Sequence, residues 1–243
     1  MRFRLPLLFL LAFPMAAAAD YVLPIAGSVG NFRTDVRIYN PTNSDSHLSL
    51  TFIPVGNQNN VAAFSHSVHV TIPANQEVAY NDAISTLFGA SGIGAVYVAA
   101  DSVLLITTRI YAQTDVGTLG QGYRAESLGN FPTSGVLLQL SANNVFRTNI
   151  GAMNMQNAQA HVTWTLYDKN NAKVSEGTTT VEPYGVIGPT SITSGFFFNS
   201  GTADLSDARV MFTSDSALAV YASVIDSATT DPTYFSAMSP SGP

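Results

Sequence analysis

Two arginines stand 114 positions apart inside one repeated tetrapeptide, Phe32-Arg33-Thr34-Asp35 and Phe146-Arg147-Thr148-Asn149. A guanidinium can grip a carboxylate ligand through two parallel hydrogen bonds. It can also satisfy loop carbonyls or an internal carboxylate, with Asp101 and its counterpart Asp215 as candidates, and that structural role is the expectation here. His47 and His161 recur at the same offset, each just ahead of an alternating stretch. The other two histidines, His66 and His69, are spaced i, i+3, which on a strand places them on opposite faces and prevents joint metal ligation. A structural or surface role is expected for all four.

Other chemistry finds less support. Nucleophilic catalysis needs a Ser or Thr beside a base and an orienting acid, and no Gly-x-Ser-x-Gly elbow occurs; Gly92-Ile93-Gly94 and Gly195-Phe196-Phe197 hold no nucleophile in that setting. Glycoside hydrolysis needs two carboxyl groups about 5 to 10 Å apart. The pairs available are Asp204 with Asp207 and Asp226 with Asp231, both in Ser/Thr/Ala-rich stretches without equivalents in the first copy, so turn residues are expected. Asp168-Lys169-Asn170-Asn171 has the oxygen-rich look of a calcium loop but lacks its spacing, central Gly and terminal Glu, and reads better as a hairpin turn. Calcium is the one cofactor left open. No residue is assigned as catalytic, cofactor-binding or metal-ligating, and an enzyme is not expected.

What must position these residues is a duplicated β framework. Val22-Leu23 corresponds to Val136-Leu137, residues 32–54 align without a gap to 146–168, and 96–104 match 210–218; the middle slips to an offset of 110 at Ile72-Pro73. Polar and apolar residues alternate in His47-Leu48-Ser49-Leu50-Thr51-Phe52 and in His161-Val162-Thr163-Trp164-Thr165-Leu166, the signature of half-buried strands. Val36 and Ile38 should point inward, Arg37 and Tyr39 outward. Val103-Leu104-Leu105-Ile106 and Ala217-Leu218-Ala219-Val220 are continuous apolar runs, expected to be central strands covered on both sides. A helical turn is predicted at Ala83–Phe88, capped by Asn81 or Asp82 and ended by Gly89, with residues 190–198 in its place in the second copy.

About seven short strands per copy separated by turn signals describe a β-sandwich. The fold class is therefore all-β, two tandem immunoglobulin-like β-sandwich domains related by internal duplication. The divisions are a signal peptide at 1–19, a first domain at 20–134 and a second at 135–243. The first domain includes a Gly-rich connector at about 113–134, whose Tyr123, Leu128 and Phe131 favour a packed segment over a free linker. Three consecutive aromatics at 196–198 are expected to pack partly against the connector or the first domain.

The leader reading rests on Arg2 and Arg4, an apolar run from Leu5 to Met15 too short to span a bilayer, and Ala17-x-Ala19 before Asp20. Its removal changes ten Lys+Arg to eight against sixteen Asp+Glu, a net charge of −8 rather than −6. A chain so acidic, with lysine only at 169 and 173, cannot assemble a basic face for a phosphate backbone, so nucleic acid and anionic membranes are not expected partners. Hydrophobic residues make up 46% and cysteine is absent, so apolar burial must hold an exported fold together without disulfides. Charged residues are only 11%, leaving a surface of Ser, Thr, Asn and Gln.

The run of Phe32-Arg33-Thr34-Asp35, Asn40-Pro41, an alternating strand, then Arg109-Ile110-Tyr111 and Gly117-Thr118-Leu119-Gly120-Gln121 resembles exported bacterial proteins built from tandem immunoglobulin-like modules. That family has no settled activity, so the resemblance implies fold and export but no catalytic residues. The second copy departs at Asn149, Gly151 and Met155, where the first has Asp35, Arg37 and Pro41. The expected function is a secreted, periplasmic or extracellular, non-catalytic binding, adhesive or structural module with a protein or glycan partner and no membrane insertion after leader cleavage. Two alternatives stand beside it. One is a periplasmic assembly chaperone donating Val103 through Tyr111 to a subunit's open edge; the other is a glycan-directed extracellular hydrolase using Asp226 and Asp231.

Overall fold

The computed structural model describes residues 18–195 and 198–239. The leader expectation thus falls almost wholly outside the described residues, and Ala19 opens the first strand. In the first half the strands are β1 (Ala19–Ser28), β2 (Phe32–Tyr39), β3 (Ser46–Pro54), β4 (Val68–Ile72) and β5 (Glu77–Tyr80). A single-turn helix α1 (Ala83–Phe88) follows, then β6 (Gly92–Ala100), β7 (Leu105–Thr114), β8 (Gly117–Arg124) and β9 (Glu126–Ser127). They form two antiparallel sheets, β4-β3-β6-β1-β9 and β5-β2-β7-β8. The second half runs β10 (Ser134–Ala142), β11 (Phe146–Asn154), β12 (Ala160–Tyr167), β13 (Lys173–Val181), β14 (Val186–Ser191), β15 (Leu205–Ser214), β16 (Leu218–Asp226) and β17 (Pro232–Ser236). Its sheets, β13-β12-β15-β10 and β14-β11-β16-β17, repeat the first pair except at β9, whose place beside β10 is taken by an isolated bridge between Val136 and Met238. The all-β, two-sandwich architecture is therefore present, with the duplication visible in topology as well as sequence.

Within each copy the second strand pairs with the fifth and the third with the sixth, as in immunoglobulin domains. The outer strands are placed differently: the first lies beside the sixth, and the seventh beside the second. Alternation decides which side chains enter each core. Thr34, Val36 and Ile38 are buried, while Arg37 and Tyr39 face out; Val162, Trp164 and Leu166 do the same in β12.

The Thr present in both copies of the tetrapeptide is the link between sheets. Thr34 Oγ1 accepts the Gly27 N–H at 2.7 Å and donates to the Gly27 carbonyl at 2.9 Å. Thr148 does the same to Ser141, at 3.0 and 2.6 Å. Both threonines are fully buried. They serve β1 just past its register slip between Leu23 and Ala26, and β10 within its slip between Leu140 and Ala142. A bulge frees backbone groups from the ladder, and a buried unpaired group is costly; one hydroxyl per copy satisfies both.

Helix α1 forms as predicted, and Gly89 closes it in the left-handed conformation with φ of 58°. Asp82 stands at its N-cap but gives its side chain to other partners. In the second copy Thr190 and Ser191 end β14, so the described residues there form no helix.

The connector contains strands that its sequence hid. In β8, Leu119, Gln121 and Tyr123 alternate with Gly120 and Gly122, so the outward positions carry no side chain to mark the period. A Cβ at Gly120 would strike Ile110 and Tyr111 of the paired strand. Phe131 is buried, and the Tyr123 hydroxyl donates to the Ile25 carbonyl.

The two sandwiches meet through non-equivalent faces. The outer face of the β1 sheet offers Val22, Ile53 and Ala95; the outer face of the β11 sheet offers Met153, Val186 and Ala219, with Phe131 and Met155 at the margin. This contact explains why only one of the two continuous apolar runs is covered on both sides. Leu218–Val220 is buried throughout, whereas Val103 and Leu105 are 51% and 60% exposed because, among the described residues, none covers the outer face of β7. The copies have diverged accordingly. Across β11 and β16, Gly151 and Tyr221 replace the Arg37 and Thr107 of the first copy, and any Cβ at Gly151 would overlap the Tyr221 ring. Side chains seal the rim: Asn57 donates to the Thr180 carbonyl at 2.9 Å, and Asn60 to the Tyr184 carbonyl at 3.0 Å.

Two outcomes follow. Thr148→Val strands the Ser141 amide and carbonyl and should cost about 1–3 kcal/mol in urea unfolding. Gly151→Arg restores the first-copy residue and should cost about 3 kcal/mol or more by overpacking; calorimetry should then resolve two transitions where the parent has one.

Candidate functional site

The repeated arginines have parted ways. Arg33 donates to the carbonyls of Gly30 at 2.9 Å and Phe32 at 2.7 Å, and its Nε lies 3.2 Å from Asp82 Oδ2. The structural role expected for it holds, although the acid is Asp82 and not Asp101. Asp35 completes that cluster, its Oδ1 accepting the Asp82 N–H at 3.0 Å and the Tyr111 hydroxyl at 3.3 Å. At the equivalent strand positions of the second copy, Asn149 replaces Asp35 and Ile192 replaces Asp82. Arg147 has thereby lost both acids. Among the described residues it makes no hydrogen bond or ion pair, and it lines a cleft of about 380 Å³ between the two sandwiches.

That cleft opens where the first sandwich's β2 and β7 ends face β11 and β16. Its walls are Phe32, Ile110, Leu119, Ile225 and Pro232, with Tyr111 at one side. Its polar residues are Arg147 and Asn149 of β11 and Ser223 of β16 on one side, Asn31, Tyr111 and Gln121 on the other, and Thr230 between β16 and β17. Asn149 stands two residues from Arg147 on the same face, and its side chain is also without a hydrogen bond among the described residues. Gln121 and Ser223, by contrast, are buried and joined across the domains, the Ser223 hydroxyl donating to Gln121 Oε1 at 3.1 Å. Deeper in, the Tyr234 ring stacks on Tyr123 at 4.6 Å and on Tyr221 at 5.9 Å, fixing β8 against β16 and β17. Sequence reading missed this cleft because its walls come from strands far apart in the chain; the exchange of Asp35 for Asn149 was the one signal of it.

The histidines form a second repeated device. Asp101 Oδ1 accepts the His47 N–H at 2.9 Å and the Ser46 hydroxyl at 3.0 Å, and His47 Nδ1 lies 3.0 Å from Oδ2. Asp215 holds His161 in the same way, both contacts at 2.8 Å. These acids thus tie the turn after β6 or β15 to the start of β3 or β12 and are not available to the arginines. Partial burial raises the Asp101 carboxyl, but the hydrogen bonds from His47 and Ser46 together bring it below its usual value. In Asp215 the His161 backbone N–H is the main cause of a lowered value, with the imidazole second. His69 lies on the same sheet face as His47, in a shallow cleft of about 600 Å³ that also takes in Asp20 and Ser49. His66 bonds only Ser65, and no metal-binding group of three or more His, Cys, Asp or Glu occurs among the described residues.

The paired acids serve turns. Asp226 Oδ1 accepts the amides of Ala228 at 2.8 Å and Thr229 at 2.9 Å, and Asp231 closes the same turn through its carbonyl. Asp204 pairs with Lys169 and accepts from Ser206, while Asp207 lies exposed on β15. Asp168 Oδ1 accepts the amides of Asn170 and Ala172, so the candidate calcium loop is the β12–β13 hairpin turn. The strand considered for donation to a partner, Val103 through Tyr111, falls mainly in β7, whose two edges are taken by β2 and β8. It cannot be the donor. Phe198 is buried in the second sandwich's own core, and Phe196 and Phe197 lie outside the described residues.

No protein-family model and no curated protein matches the chain. Among solved structures, a β-glucuronidase of Parabacteroides merdae is similar at 12% identity and a TM-score of 0.19, over 90% of this chain and 28% of that one. A glycosyl hydrolase family 2 member of Bacteroides cellulosilyticus stands at 8% identity and 0.20, over 90% and 28%, and a β-glucuronidase of Ruminococcus gnavus at 7% and 0.21, over 90% and 34%. The chain spans about a third or less of these proteins, and likeness at this level carries no argument about its activity.

The lowered carboxyl of Asp215 sets a pH dependence. A folded value below the unfolded one, about 3.9, contributes stability that is present above pH 4 and lost as pH falls through the folded value. Asp215→Asn should therefore melt lower than the parent at pH 6, and the gap should close as both are scanned below about pH 4.

Proposed function

We propose that this chain is an exported, non-catalytic binding module in which two sandwiches act as one rigid body. One observation carries the reading: the copies diverged so as to create, at the edge of their shared apolar layer, a cleft holding an unpaired Arg147. A chain under selection for bulk alone has no need to remove the two acids that neutralise the equivalent Arg33. The apolar layer and the hydrogen bonds that join the domains support it further, because a cleft made by two domains keeps its shape only if they are held together. No helix of the described residues is long and apolar enough to cross a membrane, which fits a module working outside the cytoplasm once a leader is removed. Catalysis is disfavoured by where the acids sit: Asp204, Asp226 and Asp168 are occupied with turn amides, and the His–Asp pairs hold backbone.

Labelled protein incubated with isolated bacterial cell envelopes should bind saturably and be displaced by unlabelled protein. A panel of glycan and ester substrates should show no turnover. Turnover of any substrate, or retention that never saturates, overturns the reading.

A further inference from the structure

The cleft between the sandwiches has a composition that selects among ligands. Its only cation, Arg147, projects from the outer face of β11 with no partner among the described residues, and Asn149 stands beside it on the same face. In the first copy the same backbone position is neutralised by Asp82 at 3.2 Å and backed by Asp35. Removing both acids leaves a positive site in an acidic protein, and a guanidinium with free N–H groups matches a carboxylate in two-point geometry.

Most of the rest of the wall is aliphatic or aromatic, with Phe32, Ile110, Leu119, Ile225 and Pro232 prominent; of the polar residues that also line it, Asn31 donates to the Gln113 carbonyl and the Tyr111 hydroxyl to Asp35, which leaves the Thr230 hydroxyl. A sugar acid would satisfy the arginine but would press its hydroxyls against these groups and lose their hydrogen bonds to water. Gln121 and Ser223 are spent on each other and offer little relief. A carboxylate on an apolar body meets both halves of the site. The volume of about 380 Å³ lies at the small end for ligand pockets, which suits a short body.

Resting on the binding-module reading above, we propose that this cleft binds an apolar monocarboxylate, with Arg147 holding the carboxylate and the aliphatic wall taking the body. Two sources share that chemistry, the C-terminus of a hydrophobic peptide and a medium-length acyl chain. Asn149 donates its amide to the second carboxylate oxygen or to the group beside it. Arg147 acts here in recognition and not in folding, in contrast to Arg33.

Isothermal titration calorimetry on the whole chain tests this with four probes: N-acetyl-Ala-Leu-Phe with a free carboxylate, the same peptide as its amide, decanoate and glucuronate. At least one of the two apolar acids should bind, and which one does identifies the body. The amide should bind at least tenfold more weakly than the acid if the peptide is the ligand, and glucuronate should not compete. Arg147→Gln should abolish binding of the apolar acid while leaving the melting temperature unchanged. Arg33→Gln should lower the melting temperature without altering affinity. Equal binding of acid and amide, stronger binding of glucuronate, or undiminished binding by Arg147→Gln overturns the assignment. If none of the probes binds at millimolar concentration while saturable envelope binding persists, the ligand class is wrong and the module reading stands; if both fail, the module reading falls with it.

Discussion

The structure depends on one contact, the seating of the outer face of the β1 sheet on the outer face of the β11 sheet. Each sandwich already has a core of its own, so this contact is a third apolar layer laid between two complete domains. A sheet that is covered on both faces keeps mostly apolar residues, and its few buried polar ones, such as Thr148 and Ser223, need hydrogen-bond partners. The duplicated sequence therefore had to change on one sheet of each copy and could stay as it was on the other. Ala95 in the first copy faces the layer, while its counterpart Arg209 faces solvent and lies over the Tyr167 ring at 4.1 Å. Gly151 and Tyr221 in the second copy answer the solvent-facing Arg37 and Thr107 of the first.

Charge followed the same division. Around Arg33 the first copy keeps a closed circuit of Asp35, Asp82, Ser28 and Tyr111. The second copy dissolved that circuit beside the new interface, because a carboxylate at the position of Asn149 would sit at the margin of an apolar layer, where losing water is costly. The arginine remained. What resulted is a concave site made by association, with each half of its wall belonging to a different domain. The threonine bridges and the His–Asp ties, which serve the interior of a single sandwich, were untouched by the divergence and remain superimposable in their partners.

Legibility in the sequence tracked this distinction. Features internal to one copy could be read, because they repeat: the strands of residues 32–54 and 146–168, the inward Val36 and Ile38, the Ala83–Phe88 turn, and the duplication itself. The recurrence of Thr34 and His47 at a fixed offset pointed to architecture, and both do structural work. Features that arise between copies could not be read, because they break the repeat. Leu105 and Ala219 belong to equally apolar runs, and only the arrangement of the domains makes one exposed and the other buried. Strand β8 escaped notice because glycines occupied the positions that would have shown its period. The partner of Arg33 was misjudged since Asp101 repeats and Asp82 does not; repetition favoured the wrong acid.

Because the two domains join through unlike faces, the outermost surfaces of the molecule are the same two types of face that meet at its centre. Such an arrangement is open-ended in principle: head could meet tail in another molecule as it does within this one, and a fibre would grow. The outward faces are built to refuse it. One presents Arg37 and Arg109, the other Arg209, with large side chains where the inner faces carry Gly151 and Ala95. Like charges would be brought together in a dry contact, and arginines stand where Gly151 and Ala95 let the inner sheets close. The same substitutions that left the repeat imperfect also make the outer faces unlike the inner ones.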